Sequence, residues 1–247
     1  MGGPMAGMFQ FGGLVGGFGG KLVTGKPIQA NLKIVRTENL SGGNMISNTT
    51  TGTYARGLDG STSRDLKFAA IGPWAASGKV QEFTYIRNVA KGMQYIVNVP
   101  KGTYQAFAIR VHVPSQSEKK GRPNRPDSTN EVVTDNPNAT YTDPVTNTSY
   151  TVDDRKVTRT IPAGAIGNTL PIVITTERLY SAALDLLLEE THTDPRFGTT
   201  TYQLSSIGQS PAASLFLPDT SFTQVQGGFG RHGQAGEGHR PPPPPQD

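Results

Sequence analysis

The chain has no cysteine, which removes structural disulfides, thiolate metal ligands and a cysteine nucleophile in one step. It leaves the compartment open, because many bacterial envelope proteins also lack disulfides. No stretch approaches the ~18 consecutive apolar residues of a transmembrane helix, so an integral membrane protein is not expected. The N-terminus shows no charged-then-apolar export pattern. Charge is sparse, at 17% of residues, and the net value of +4 is spread along the chain. Lys21, Lys26, Lys33 and Arg36 form one loose group, and Lys119, Lys120, Arg122 and Arg125 form another. Neither makes a dense basic face with interleaved aromatics, so solvated surface charge is expected and a nucleic-acid partner is not.

Signatures of catalysis are also missing. No serine sits in a G-x-S-x-G elbow with triad partners. The glycine runs match neither a G-x-x-x-x-G-K-[ST] phosphate loop nor a strand–GxGxxG–helix unit. With no nucleophile–base pair or metal constellation, an enzyme is not expected, and neither is a cofactor.

What is abundant is glycine (30) and proline (19), the balance of a turn-rich β protein. The first 20 residues hold nine glycines among Met and Phe, and residues 1–21 read as a disordered leader. Residues 223–247, closing in Pro241 to Pro245, read as a disordered tail or polyproline II spacer. Between them, 22–222 reads as a single β domain. A long exposed loop is expected near 114–138, where Pro, Lys, Arg, Ser and Asn concentrate.

Inside that domain the period is that of strands. Ile28, Ala30, Leu32 and Ile34 alternate with polar residues, and Thr-rich Met45 to Tyr54 suits a solvent-facing strand. Further strands are expected at 65–71, 82–88, 93–99, 104–113, 150–152, 157–161, 171–180, 183–191 and 199–205. Leu58-Asp59-Gly60-Ser61 reads as an Asp-Gly hairpin turn. Lys91-Gly92, Lys101-Gly102, Ala163-Gly164 and Gly167-Asn168 supply other turns, and Asp153-Asp154-Arg155-Lys156 suggests a charged turn. Leu184 to Leu188 could form a helical turn, but its β-rich flanks favour strand. Asp194-Pro195-Arg196-Phe197-Gly198 reads as a hairpin bend, with Tyr202 and Leu204 facing the core. Consecutive strands with short turns imply a meander folded into a strongly twisted antiparallel sheet or partly closed barrel.

Few residues invite a chemical role. In Glu189-Glu190-Thr191-His192-Thr193-Asp194, alternation puts Glu190, His192 and Asp194 on one face. That set reads as a polar strand end or as metal ligands, and the first reading is the simpler, so no metal is assigned. Trp74, the only tryptophan, is either a packing anchor at a sheet end or a ligand-stacking ring.

Several segments together resemble a family of uncharacterised exported proteins abundant in Acidobacteria and related soil bacteria. They are LVTGKPIQA (22–30), the region 56–64, AAIGPWAASG (69–78), NVAKGMQYIVNV (88–99), TIPAGAIGNTLPI (160–172), ERLYSAALDLLL (177–188) and DPRFGTTTYQLSSI (194–207). The last block, followed by SLFLPDTSF (214–222), is also similar to the final strands of the periplasmic lipoprotein-carrier (LolA/LolB-like) superfamily. This chain departs from those patterns with Pro211-Ala212 before the LF pair and with Leu179 where the exported family has Trp. The resemblance implies a mainly β fold: one strongly curved antiparallel sheet, a half-barrel, with few short helices. It implies a periplasmic or secreted location, with the export signal absent from this sequence. It also implies a non-enzymatic protein that binds a lipid or other apolar ligand in the concave face of its sheet. Trp74, Tyr95, Val97, Tyr180, Leu184 and Leu186 would line that face. The alternative is a structural or sensory envelope module with a filled core, meeting a protein partner by strand addition.

Overall fold

Strict alternation from Ile28 to Ile34 makes β1 (Ile28–Asn39), whose apolar side chains are buried while Asn31 and Lys33 between them are exposed. A computed structural model describes residues 21–68, 80–109, 130–208 and 210–226. The other strands are β2 (Met45–Arg56), β3 (Thr62–Phe68), β4 (Gln81–Asn88), β5 (Met93–Asn98), β6 (Thr103–Ala108), β7 (Glu131–Thr142), β8 (Ser149–Ile161), β9 (Ile172–Ser181), β10 (Leu186–Asp194), β11 (Gly198–Gly208) and β12 (Thr223–Gln224). They form one sheet in the order β12-β6-β5-β4-β3-β2-β1-β11-β10-β9-β8-β7. Two meanders, β1 to β6 and β7 to β11, are therefore zipped together by the antiparallel pairing of β1 with β11. Among these strands only the β12–β6 contact is parallel. The mainly β, curved-sheet expectation is met, and among the described residues the only helical turns are short 3-10 pieces.

Register shows where the core lies. Residues opposite one another share a face, and one row runs Leu204, Leu32, Gly52, Leu66, Phe83 across β11, β1, β2, β3 and β4. Leu32, Leu66 and Leu204 are at most 2% exposed. Tyr141 of β7, Val152 of β8 and Leu188 of β10 join the same cluster. β7 is four places from β11 in the sheet, roughly 19 Å away were the sheet flat. Yet the Tyr141 hydroxyl donates to the Leu204 carbonyl oxygen. The sheet must therefore curl strongly between β11 and β7.

A second cluster lies on the opposite face of β4 to β6, where Ile86, Tyr95 and Val97 are buried. Its cover comes from the segment after β11. Phe216, in a 3-10 turn at Ala213–Phe216, is buried, and Asn88 Nδ2 donates to its carbonyl oxygen at 2.9 Å. Phe222 then packs on the cluster, and β12 pairs with Thr103 and Tyr104. The SLFLPDTSF block is thus a strap laid over the sheet.

Three expectations change. Residues 131–138, assigned to the long loop, belong to β7; its exposure on both sides removes the alternation that would have revealed it. Asp153 to Lys156 is not a turn but the middle of β8, paired with β9 throughout. The strand expected from 183 begins at Leu186, because the turn before it places Asp185 at φ 47°.

Candidate functional site

A groove of about 680 Å³ opens at the β7–β10 end of the sheet, lined by Asp135, Asn136, Pro137, Asp153, Asp154, Arg155, Arg178, Tyr180, Leu187 and Glu190. Register builds it. Asp135, Arg155, Arg178 and Glu190 stand opposite one another across β7, β8, β9 and β10, and Asp153, Tyr180 and Leu187 form the adjacent row. Two irregularities bracket it. β7 slips register between Asn136 and Ala139, where Asn138 has φ 62°, and β10 slips between Leu187 and Glu189. Bulges bend strands and re-aim side chains, and they concentrate beside functional sites.

The charges are unevenly matched. Arg178 Nε lies 2.5 Å from Glu190 Oε2, and the Glu190 side chain is only 5% exposed. That pairing is what allows a carboxylate to be buried there. Arg155 and Asp135 are 3.8 Å apart and both well exposed, so their pairing contributes little. Asp153 and Asp154 form no ion pair with the described residues, and Asp154 Oδ1 is buried without a hydrogen-bond partner. At the groove's end Tyr180 donates to the Asp185 carboxylate, which Lys21 Nζ also reaches at 2.9 Å. Burial, and then that bond to Asp185, push the Tyr180 hydroxyl up to about 12. The same two partners hold the Asp185 carboxyl below its usual range.

The residues expected to line an apolar site are dispersed. Tyr95 and Val97 are buried in the strap-covered cluster. Leu186 is in the main core and Leu184 packs against it from the turn before β10. Of the five that are described, only Tyr180 lines the groove; Trp74 lies outside the described residues. The polar cluster at 189–194 also divides among separate partners. Glu190 takes Arg178, Glu189 accepts from Gln203 at 2.7 Å, and Asp194 takes both a 2.6 Å ion pair and the backbone N–H of Arg196. His192 Nδ1 is 2.9 Å from Thr176 Oγ1. Among the described residues no three His, Asp or Glu side chains are grouped to hold a metal.

Two residues that carry much of the structure gave no sequence signal. Arg56 is 3% exposed and donates to the carbonyl oxygens of Lys26 at 2.8 Å, Asp185 at 3.0 Å and Leu184, tying the start of the described chain to the β9–β10 turn. Asp143 is fully buried. One of its oxygens accepts from Val145 and Thr146 in its own turn, and the other accepts from Ile207 of β11 at 2.9 Å.

No family model matches the chain, and no curated protein matches it significantly. Solved structures are similar at a distance. In the MucA/MucB complex of Pseudomonas aeruginosa, a chain 13% identical matches 81% of this chain at a TM-score of 0.38, and the match spans only 58% of that chain. An uncharacterised conserved protein of Thermus thermophilus is 8% identical, with 82% of this chain and 91% of that one covered and a TM-score of 0.41. A LolA-superfamily protein of Nitrosomonas europaea is 9% identical over 78% of this chain and 90% of its own, at 0.28. None of these fixes a family for the chain.

Proposed function

We propose that this protein is a non-enzymatic interaction module of the bacterial envelope. Its recognition surface is the groove together with the edge of β7, which no described strand covers, and its ligand is an extended polypeptide. The observation that carries this reading is how the two edges and the core are disposed. The core is filled by its own side chains: Leu32, Leu66, Leu188 and Leu204 are at most 2% exposed, and Tyr141 and Tyr202 are at most 4%. The β6 edge is capped in part by β12, through Thr223 N–H to the Gly102 carbonyl and Val225 N–H to the Tyr104 carbonyl. β7 ends the sheet with no described strand beyond it. It presents an edge of 12 residues with Val132 64% exposed. Such an edge is a template for an added strand, and the groove beside it is large enough to take side chains. The envelope location rests on the sequence resemblance.

Two measurements test it. Linear peptides about twelve residues long, the length of β7, are displayed as a library and selected on the full chain. A selected peptide is then resynthesised with single N-methyl groups along its backbone. Strand addition uses every second N–H, so methylation should abolish binding at alternate positions and spare those between. A flat response along the peptide would refute it. Mass spectrometry of the protein purified from bacterial envelopes gives the competing outcome: stoichiometric lipid would favour an apolar-ligand carrier.

A further inference from the structure

Three neighbouring hairpins put their tips at one end of the sheet. The pairs β2-β1, β11-β10 and β9-β8 lie side by side in the strand order, and register brings residues 39–45, 194–198 and 161–172 to that end. Successive tips are two strand spacings apart, roughly 10 Å. Each holds large apolar side chains out to solvent: Met45 and Ile46 on the first, Phe197 on the second, Ile166 and Leu170 on the third. Met45, Ile166, Leu170 and Phe197 are all more than half exposed.

Charge is missing from the same places. Residues 39–55 and 160–176 contain no Asp, Glu, Lys or Arg, in a chain where 17% of residues are charged. At the opposite end of the strands the turns carry Asp59, Lys91, Asp143 and Asp185. On the middle tip Arg196 is paired with Asp194 and lies 5.1 Å from the Phe197 ring, and its long stem can carry the guanidinium to a polar boundary while the ring goes deeper. The tips also satisfy their own backbone. Asn168 Nδ2 donates to the carbonyl oxygens of Pro162 at 2.8 Å and Leu170 at 2.7 Å, and Asn168 Oδ1 accepts from the Ile166 N–H at 3.2 Å. The Leu40 N–H donates to the Asn44 carbonyl oxygen at 2.7 Å, and the Met45 N–H to Asn44 Oδ1 at 2.9 Å. The Phe197 N–H donates to the Asp194 carbonyl oxygen at 2.9 Å. Uncharged apolar loops that close their hydrogen bonds internally suit a partner that offers none, and hydrocarbon is such a partner. Three separate fingers also suit a deformable phase better than a protein face, which needs a continuous complementary patch.

We infer that this end of the sheet docks on a lipid bilayer, with Met45, Ile166, Leu170 and Phe197 entering the boundary between headgroups and acyl chains. The surface is distinct from the groove and the β7 edge, so it stands or falls apart from peptide binding. The full chain should float with vesicles of phosphatidylcholine alone as well as with equal parts of phosphatidylethanolamine and phosphatidylglycerol. It should stay bound in about 1 M salt, which screens charges and leaves apolar burial in force. Leu170→Ser and Phe197→Ser should each weaken binding about tenfold, with circular dichroism unchanged. Leu58→Ser, which removes an exposed leucine at the opposite end, should leave binding as it was. Because the chain has no cysteine, Leu170→Cys and Leu58→Cys can each carry one polarity-sensitive dye, and only the dye at 170 should shift to the blue on vesicles. A folded chain that stays off both kinds of vesicle, or a dye at 170 that does not shift, would overturn the proposal. Binding that needs anionic lipid and vanishes in salt would overturn it too. Self-association that Leu170→Ser abolishes, with no change on vesicles, would assign this end to contact between copies of the chain instead.

Discussion

Asp143 sits fully buried in the β7–β8 turn, accepting from three backbone N–H groups of which one, Ile207, is 64 residues away. Burial alone would raise its carboxyl, but the N–H groups of Ile207, Val145 and Thr146 outweigh that and bring it down to about 2 from 3.8. A carboxyl depressed in the folded state stabilises above its unfolded value and loses that contribution as pH falls through the folded one. Asp143→Asn should therefore cost about 2 kcal/mol near neutral pH. The gap from the parent protein should close between about pH 4 and pH 2 in urea titrations; a gap constant with pH would show that the charge is not what matters. Arg56 acts at the same scale. Replacing it by Met leaves the carbonyls of Lys26, Leu184 and Asp185 without their donor, at roughly 3 kcal/mol or more. Arg56→Lys should recover only part of this in thermal unfolding, since one ammonium cannot reproduce the planar fork.

Among the elements, the β10–β11 hairpin and the strap show how local chemistry becomes architecture. Gly198 has φ 89°, and a Cβ there would run into the Thr37 carbonyl oxygen of β1. Only glycine lets the hairpin dock at that distance, so Gly198→Ala should destabilise by roughly 2–4 kcal/mol, read as a lowered denaturation midpoint. The strap depends on Phe216 and Phe222. Truncating Phe216 to Ala removes a buried ring, at roughly 3 kcal/mol. It should also release the amides of Thr223 and Val225, which bond to Gly102 and Tyr104, to faster hydrogen exchange. Protection unchanged at those two amides would mean that β12 holds without its anchor.

For the whole molecule, the question is whether two meanders make one cooperative unit. Val152 on β8 and Leu66 on β3 belong to the same cluster although their strands lie far apart in the sheet order, one in each meander. Val152→Ala and Leu66→Ala should accordingly lower one shared unfolding transition, seen alike by circular dichroism and by hydrogen exchange. Two separated transitions would show that the meanders fold apart. β7 ends the sheet among the described strands, and an exposed edge of that length is an aggregation hazard.

Read alone, the sequence determined those features whose cause lies within a few residues. Alternation along 28–34 declared β1 and its buried side, Asp194 to Gly198 declared a hairpin, and the glycines at 92, 102, 164 and 167 marked turns, all with positive φ. The tertiary structure decided whatever depends on partners far along the chain. The first eight residues of β7 escaped notice because a stretch exposed on both faces carries no period. Asp143 and Arg56 look like ordinary polar residues until curling brings Ile207 and the β9–β10 turn against them. The groove could not be foreseen either. Its residues come from four strands aligned by register and displaced by two bulges, and register is a property of pairs of strands, which no single segment contains.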